Sequence, residues 1–350
     1  MPQALIYGSY GYTGELIVAE ALSKGARPIL AGRSREKVEA QARETGLEHR
    51  VFNLDDPAAV KAALDGIAVV VHCAGPFSRT ARQMAEGCLA TGCHYTDITG
   101  EIEVFELMHS LDQRAKEAGV MLLPGAGFDV VPSDCLAAHL KEKLPNAEDL
   151  ILAFQGVGRP SRGTATTMIE NMHRGGMIRV NGELERVPSA WQVYELDLGE
   201  GEVECMTIPW GDVSTAYYST GIPNIRVFMA APPGLRRMAY WSRWFGWLLA
   251  SGPVQRMLKK KIQEGPPGPT EEQRRAGYSL LYGKAQDSKG RKSAEAWLRT
   301  PEGYTLTART AWAIAERILA GESKPGFQTP SLAYGADFIL QFEGVERRDK

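Results

Sequence analysis

Cysteine is scarce in this chain: five residues in 350, an odd number, widely scattered. That excludes a scaffold built on disulfides and fits reduced thiols in a cytosol. A charge excess of one sign is also missing. Forty Lys and Arg against 42 Asp and Glu leave a net charge of −2, so there is no basic surplus to neutralise phosphates and nucleic acid is not an expected partner. The first residues run straight into a strand pattern, without the basic flank and apolar run of a signal peptide, so a cytoplasmic location is expected. Cys88, Cys93 and His94 lie close together, but no second Cys or His pair at zinc spacing completes a site, so burial is expected for them and no metal. At 44% hydrophobic and 23% charged residues the composition is that of an ordinary soluble protein, and 350 residues are more than one core usually organises.

What the chain does carry begins at residue 4. A short apolar strand, Ala4-Leu5-Ile6-Tyr7, leads into Gly8-Ser9-Tyr10-Gly11-Tyr12-Thr13-Gly14 and then a helical pattern through Leu16, Ile17, Ala19, Ala21 and Leu22. Strand, glycine turn and helix in that order make a pyrophosphate cradle. The glycines let the backbone turn and approach the phosphates, and the helix start offers N–H groups and a partial positive charge. The next strand ends at Ala31-Gly32 and is followed by Arg33-Ser34-Arg35. NAD sites usually place an acid there for the ribose 2′-hydroxyl, whereas an Arg suits a 2′-phosphate. Arg33 and Ser34, with Lys37 one turn on, are therefore candidates for selecting NADP(H). Asp55, at the end of the third strand, is a candidate near the adenine ring, or alternatively a helix N-cap before Pro57.

Strand patterns at 4–8, 28–32, 50–54, 68–74, 94–98 and 120–124 alternate with helical patterns at 14–24, 35–45, 57–64, 80–91 and 103–118. Continuous apolar strands such as Val69-Val70-Val71 argue a parallel sheet covered on both faces. The expected fold is α/β: a doubly wound parallel sheet over residues 1–135, followed by a mixed α+β domain for substrate and dimerisation over 136–350. The ligand belongs at the carboxyl edge of the strands. There the loop Cys73-Ala74-Gly75-Pro76-Phe77 is expected to cross the cofactor, small residues allowing close approach and Pro76 stiffening the turn. Asp97, Glu101, Asp129 and Asp134 also follow strands, as candidates for proton transfer or cation binding, or alternatively as helix caps and inter-domain hydrogen-bond acceptors.

Beyond about 145 the pattern changes. A strand at 150–154, a helix from Gly163 through about Arg174, and strands at 178–181 (with a Gly182 turn), 190–195, 204–208 and 224–231 are expected. A helix near 305–320 and a strand near 335–342 complete the chain and suit either domain. Residues 235–262 hold Trp241, Trp244 and Trp247, three of seven tryptophans, followed by Arg256 and Lys259-Lys260-Lys261. A helix of about 15 residues spans about 22 Å, too short for a bilayer core. Its composition fits a helix lying on a membrane surface, with a dimer contact or a lid over an apolar pocket as alternatives.

Taken together, Gly8–Gly14, Ala31-Gly32-Arg33, Ala74-Gly75-Pro76-Phe77, the run from Tyr95 to Glu101 and the run from Gly127 to Asp134 resemble the saccharopine dehydrogenase-like oxidoreductases. The branch that looks most similar holds the trans-acting enoyl reductases and the animal saccharopine dehydrogenase-like oxidoreductases. The resemblance covers most of the first 135 residues. It departs at Ser9-Tyr10, where many members carry Ala-Thr. It implies a Rossmann-type domain, NADP(H) on the Gly8–Gly14 loop, Arg33 toward the 2′-phosphate and Gly75–Phe77 beside the cofactor; a homodimer is expected separately. Substrates in such a family range from amino-acid imines to unsaturated lipid chains, so membership does not fix the reaction. The first expectation is an NADPH-dependent reductase of a large apolar, acyl or lipid-like substrate, with Tyr95, Asp97 or Asp129 as proton donor. The second is a saccharopine-type enzyme acting on an imine, whose carboxylates Arg159, Arg162, Arg174 and Arg179 would clamp. The third is a non-catalytic dinucleotide-binding or membrane-associated protein.

Overall fold

The computed structural model describes residues 2–156, 160–171, 175–249 and 251–350. The chain divides into two compact units: Met1–Val131 with Gly303–Gly335, and Pro132–Glu302 with Ala336–Lys350.

The first unit is built on strands β1 (Gln3–Tyr7), β2 (Ile29–Gly32), β3 (His49–Val51), β4 (Ile67–His72), β5 (His94–Asp97) and β6 (Met121–Leu123). Their order in the sheet is β3-β2-β1-β4-β5-β6, and Gly326–Phe327 adds a last strand beside β6. Every pair is parallel. Leu5, Ile6, Val69, Val70 and Val71 have no exposed surface. Strands covered on both faces read as unbroken apolar runs, which is why they were visible as such. The crossovers are α1 (Tyr12–Ser23), α2 (Arg35–Thr45), α3 (Pro57–Leu64), α4 (Phe77–Thr91) and α5 (Ile102–Ser110) with the short α6 (Asp112–Glu117). The strand order reverses between β1 and β4, and that is where a doubly wound sheet opens its ligand crevice.

The helix near 305–320 is Gly303–Leu319 and belongs to this first unit, against α1, β4 and β5. Polar side chains fasten it to the loop after β6. Thr310 Oγ1 donates to the Ala126 carbonyl at 2.7 Å, and the Phe128 amide donates to Thr307 Oγ1 at 2.9 Å. Gly127 makes this approach feasible, since a Cβ there would stand 2.9 Å from the Thr307 methyl.

The second unit holds a nine-stranded mixed sheet. Asp149–Gly156 runs parallel to Asn224–Ala230 and antiparallel to Tyr278–Gln286. Gly176–Val180 and Glu183–Val187 form a hairpin through Asn181 and Gly182, both at positive φ, the pair that a tight two-residue turn favours. Ala153, Cys205, Phe228, Leu280 and Tyr282 share a core. Several elements differ from the sequence-based expectation, among them the helices Val131–Lys143 and Asp212–Thr220, which it does not contain. The antiparallel pair Tyr278–Gln286 and Ser293–Pro301 was not anticipated. The strand expected at 335–342 is absent: Gly335 sits at φ +88° after the Pro330–Tyr334 helix, and Phe338–Gln341 forms a 3-10 turn, while the chain's last strand is Glu346–Asp349.

Candidate functional site

The loop between β1 and α1 turns on Gly8, whose φ of +82° suits glycine. The Gly8 and Ser9 amides donate to the Ala31 carbonyl at 2.7 and 3.3 Å, pinning the loop to β2. Gly14 is packed so closely that a Cβ would stand 2.3 Å from the Gly8 carbonyl oxygen. Gly11 caps α1 without any side-chain hydrogen bond, so no protein side chain fills the cap of that helix start. A narrow glycine turn leading into a helix with no side-chain cap is the form that a pyrophosphate requires, and the residues present fit a dinucleotide.

The side chains of this loop have distinct duties. Ser9 is buried; its hydroxyl donates to Gln41 Oε1 at 2.7 Å while Gln41 Nε2 donates to the Ser9 carbonyl at 2.9 Å, locking the loop to α2. Tyr10 lays its ring over Gly32, where a Cβ would stand 2.4 Å from the ring, and its hydroxyl accepts the Ser34 amide at 3.3 Å. Lys37 Nζ lies 5.7 Å from the centre of the same ring. Tyr10 thus covers the end of β2, and Arg33 and Lys37 stand exposed there beside the half-buried Ser34. Tyr12 packs edge-on against Tyr304 at 5.2 Å, and Thr13 is half-buried in the first turn of α1. Asp55 is exposed and within 3.3 Å of Asn53 Nδ2. The N-cap before Pro57 is its neighbour Asp56, which accepts from the Ala58 and Ala59 amides, because only Asp56 stands one residue before the first turn of α3.

Across the strand-order reversal lies the loop after β4. A Cβ on Gly8 would stand 3.0 Å from the Ala74 Cβ, so the Gly8 and Ala74 turns abut. Gly75 is exposed, and Pro76 leads into α4 at Phe77. Thr80 Oγ1 donates to the Ala74 carbonyl at 2.8 Å and faces His72 Nε2 at 2.9 Å. With its own proton on Ala74, the hydroxyl accepts from His72, which sets the ring as the Nε2–H tautomer. Burial pushes the His72 pKa down to about 3, and the ring is neutral. His72 was missed in the sequence, although a polar ring closing an otherwise apolar strand is a visible signal.

The acids divide by role. Asp97 has no exposed surface and accepts from the Tyr95 hydroxyl at 2.5 Å, the Thr99 amide at 3.0 Å and the Gly125 amide at 2.8 Å. Burial raises its pKa to about 6, and burial with the Asp97 charge raises that of the equally buried Tyr95. Glu101 accepts from the Phe77 and Ser78 amides at 2.8 and 2.9 Å, completing the cap of α4. Asp129 is only partly buried; Oδ2 lies where a Cβ on Gly100 would be 2.8 Å away, and burial raises its pKa to about 7. Asp134 is buried on the Val131–Lys143 helix.

Of the arginines considered as a carboxylate clamp, Arg159 and Arg174 lie outside the described residues. Arg162 Nε donates to the Gly265 carbonyl at 2.9 Å. Arg179 is buried, donating to the Val213 and Gly182 carbonyls at 2.8 and 2.7 Å, with its guanidinium 4.3 Å from the Tyr217 ring centre. Both bind backbone within the second unit. Cys88 and Cys93 are buried, and His94 Nδ1 accepts the Met121 amide at 3.0 Å. Among the described residues no cluster of His, Cys, Asp or Glu is arranged to hold a metal ion.

Sheet order, glycine turn and basic β2 end define a Rossmann-type dinucleotide-binding domain. Residues 4–123 match the family model of the saccharopine dehydrogenase NADP-binding domain, so the dinucleotide of this domain is NADP(H). A Bos taurus saccharopine dehydrogenase-like oxidoreductase is 26% identical over 179 residues, 45% of this chain and 42% of that one. A Mycobacterium tuberculosis protein named provisionally as a trans-acting enoyl reductase is 34% identical over 185 residues, 47% of this chain and 43% of that one. The match thus spans less than half the length of these curated relatives. The Saccharomyces cerevisiae saccharopine dehydrogenase (L-Glu forming) superposes over 100% of both chains with a TM-score of 0.68 at 10% identity, a likeness of fold.

Proposed function

We propose that this protein is an NADP(H)-dependent reductase that saturates a carbon–carbon double bond in a large apolar, acyl or lipid-like substrate. The observation that carries the cofactor half is the β2 end, where Arg33 and Lys37 stand exposed beside the glycine turn. The substrate half rests on the 34% identity to the relative named as an enoyl reductase. Saccharopine-type chemistry needs cationic side chains for several carboxylates, and Arg162 and Arg179 already serve backbone carbonyls.

When bound, NADPH supplies the hydride, which adds to the β-carbon of the conjugated double bond; a proton adds to the α-carbon. The protein's part is orientation and the proton. Gly8–Gly14 hold the pyrophosphate, Arg33, Ser34 and Lys37 the 2′-phosphate, and Ala74–Phe77 the middle of the cofactor. Asp129 is the proton donor in this scheme: it keeps some exposure, and with a pKa near 7 it is partly protonated at neutral pH. Tyr95 and Asp97 form a buried pair that holds the β5 and β6 loops in place.

The test is NADPH oxidation by the full chain with α,β-unsaturated acyl thioesters of increasing length, and in parallel with an amino acid plus a 2-oxo acid. Turnover on the long acyl chains alone supports the proposal. Turnover on the imine-forming pair alone overturns it.

A further inference from the structure

The helices Pro233–Leu249 and Gly252–Glu264 of the second unit present a surface that neither the cofactor site nor the proposed reaction uses. From Pro233 to Gln263 there is no acidic residue, while Arg236, Arg237, Arg243, Arg256, Lys259, Lys260 and Lys261 supply seven positive charges in a chain whose net charge is −2. The two helices touch.

The first helix is amphipathic in an inverted sense. Its sheet-facing side is fixed by cations: Arg236 pairs with Glu204, and Arg243 donates to the Ser189 and Ala190 carbonyls at 2.7 and 2.6 Å while lying 4.0 Å from the Tyr240 ring centre. The outward arc carries Arg237, Met238, Tyr240, Trp241 and Trp244, with Trp241 64% and Trp244 76% exposed. The second helix continues the surface with Met257, 63% exposed, among exposed Arg256, Lys260 and Lys261. Two tryptophans this exposed on one arc are unusual for a surface in contact with water alone. Tryptophan and tyrosine favour the boundary between lipid headgroups and acyl chains, and clustered Lys and Arg favour anionic headgroups. No helix among the described residues is long and apolar enough to cross a membrane, so the surface is suited to lying on one.

We infer that these two helices dock the protein onto an anionic lipid bilayer, tryptophans inserted at the headgroup boundary and the Arg256–Lys261 cluster against anionic headgroups. A second copy of the chain is the competing occupant, but the exposed Arg237, Arg256, Lys260 and Lys261 would face their own kind across a two-fold contact, whereas an anionic surface neutralises them.

The experiment is co-sedimentation of the full chain with phosphatidylcholine vesicles, with and without phosphatidylglycerol, alongside quenching of tryptophan fluorescence by bromine-labelled lipid. The expected result is binding that needs phosphatidylglycerol, weakens in high salt and quenches tryptophan. Trp241→Ser with Trp244→Ser should lower partitioning about tenfold. Reversal of Arg256, Lys260 and Lys261 to Glu should lower it about a hundredfold or more. NADPH binding, measured on each variant, should be unchanged, and an unaltered cooperative thermal melt by circular dichroism reports an intact fold. No binding to anionic vesicles overturns the inference. So does light scattering that shows a dimer which the tryptophan substitutions dissociate. NADPH oxidation is scored separately, so the reductase proposal and the docking inference stand or fall independently.

Discussion

The Tyr95 hydroxyl donates to Asp97 Oδ2 at 2.5 Å, and neither side chain has any exposed surface. Two groups that the sequence offers as proton donors are thereby turned toward one another. Asp97 also holds the Thr99 and Gly125 amides, so it fastens the loops after β5 and β6 from inside. Tyr95→Phe should cost about 1.5–3 kcal/mol, the range for a hydrogen bond to a charged group. Chemical denaturation should show that loss, while kcat falls only modestly. An unchanged stability with a hundredfold lower kcat would instead make Tyr95 the donor.

Asp129 gives a pH signature. Its carboxyl is raised from the ordinary 3.8 to about 7 by burial, so the folded protein holds this proton more tightly than the unfolded chain. The folded state therefore loses stability as pH rises from 3.8 to 7, and the loss is complete above that. Asp97, raised to about 6, contributes with the same sign over a narrower window. Asp129→Asn should flatten this slope in thermal melts between pH 4 and 8. If Asp129 donates the proton, reduction by the parent protein should also decline as pH rises through about 7, and the variant should lose about 100-fold in kcat along with that decline.

Gly14 tests the phosphate cradle. A Cβ there meets the Gly8 carbonyl oxygen at 2.3 Å and the Ser9 carbonyl oxygen at 2.9 Å, both backbone atoms that cannot rotate away. Gly14→Ala should destabilise the first unit by about 1–3 kcal/mol, as overpacking does. It should weaken NADPH binding about tenfold or more in a fluorescence titration at a temperature where circular dichroism shows the variant folded. Unchanged affinity would move the pyrophosphate elsewhere.

Much of the first unit was legible because its signals are local. Buried parallel strands show as apolar runs, and a glycine turn between strand and helix shows as spacing. The parts that escaped depend on distant partners. Gly283 in the unanticipated Tyr278–Gln286 strand breaks the pattern because Leu140 needs its space: a Cβ would stand 2.6 Å from Leu140 Cδ1. The Gly303–Leu319 helix reads as an ordinary amphipathic helix, and its packing on α1, β4 and β5, with the hydrogen bonds that join Thr307 and Thr310 to the β6 loop, shows which unit it completes. At the candidate site, residue types pointed to the cofactor loop, but not to the division of labour within it. Ser9 and Tyr10 brace the loop through Gln41 and Ser34, contacts made 32 and 24 residues away in sequence. Glu101, Asp97 and Asp129 look alike in sequence, and only burial and hydrogen-bond partners separate a helix cap, a loop fastener and a titrating acid.

The exposed basic end of β2 is expected to select NADP(H), and the affinity of the full chain for NADPH and NADH, with and without Arg33→Ala, tests this. Removing a charge-assisted contact to a 2′-phosphate costs about 1.5–3 kcal/mol. The parent protein should therefore prefer NADPH, and Arg33→Ala should weaken NADPH binding by about 10- to 100-fold while leaving NADH almost unchanged. Equal affinity of the parent protein for both, or a preference that survives the substitution intact, would show that Arg33 does not select the 2′-phosphate.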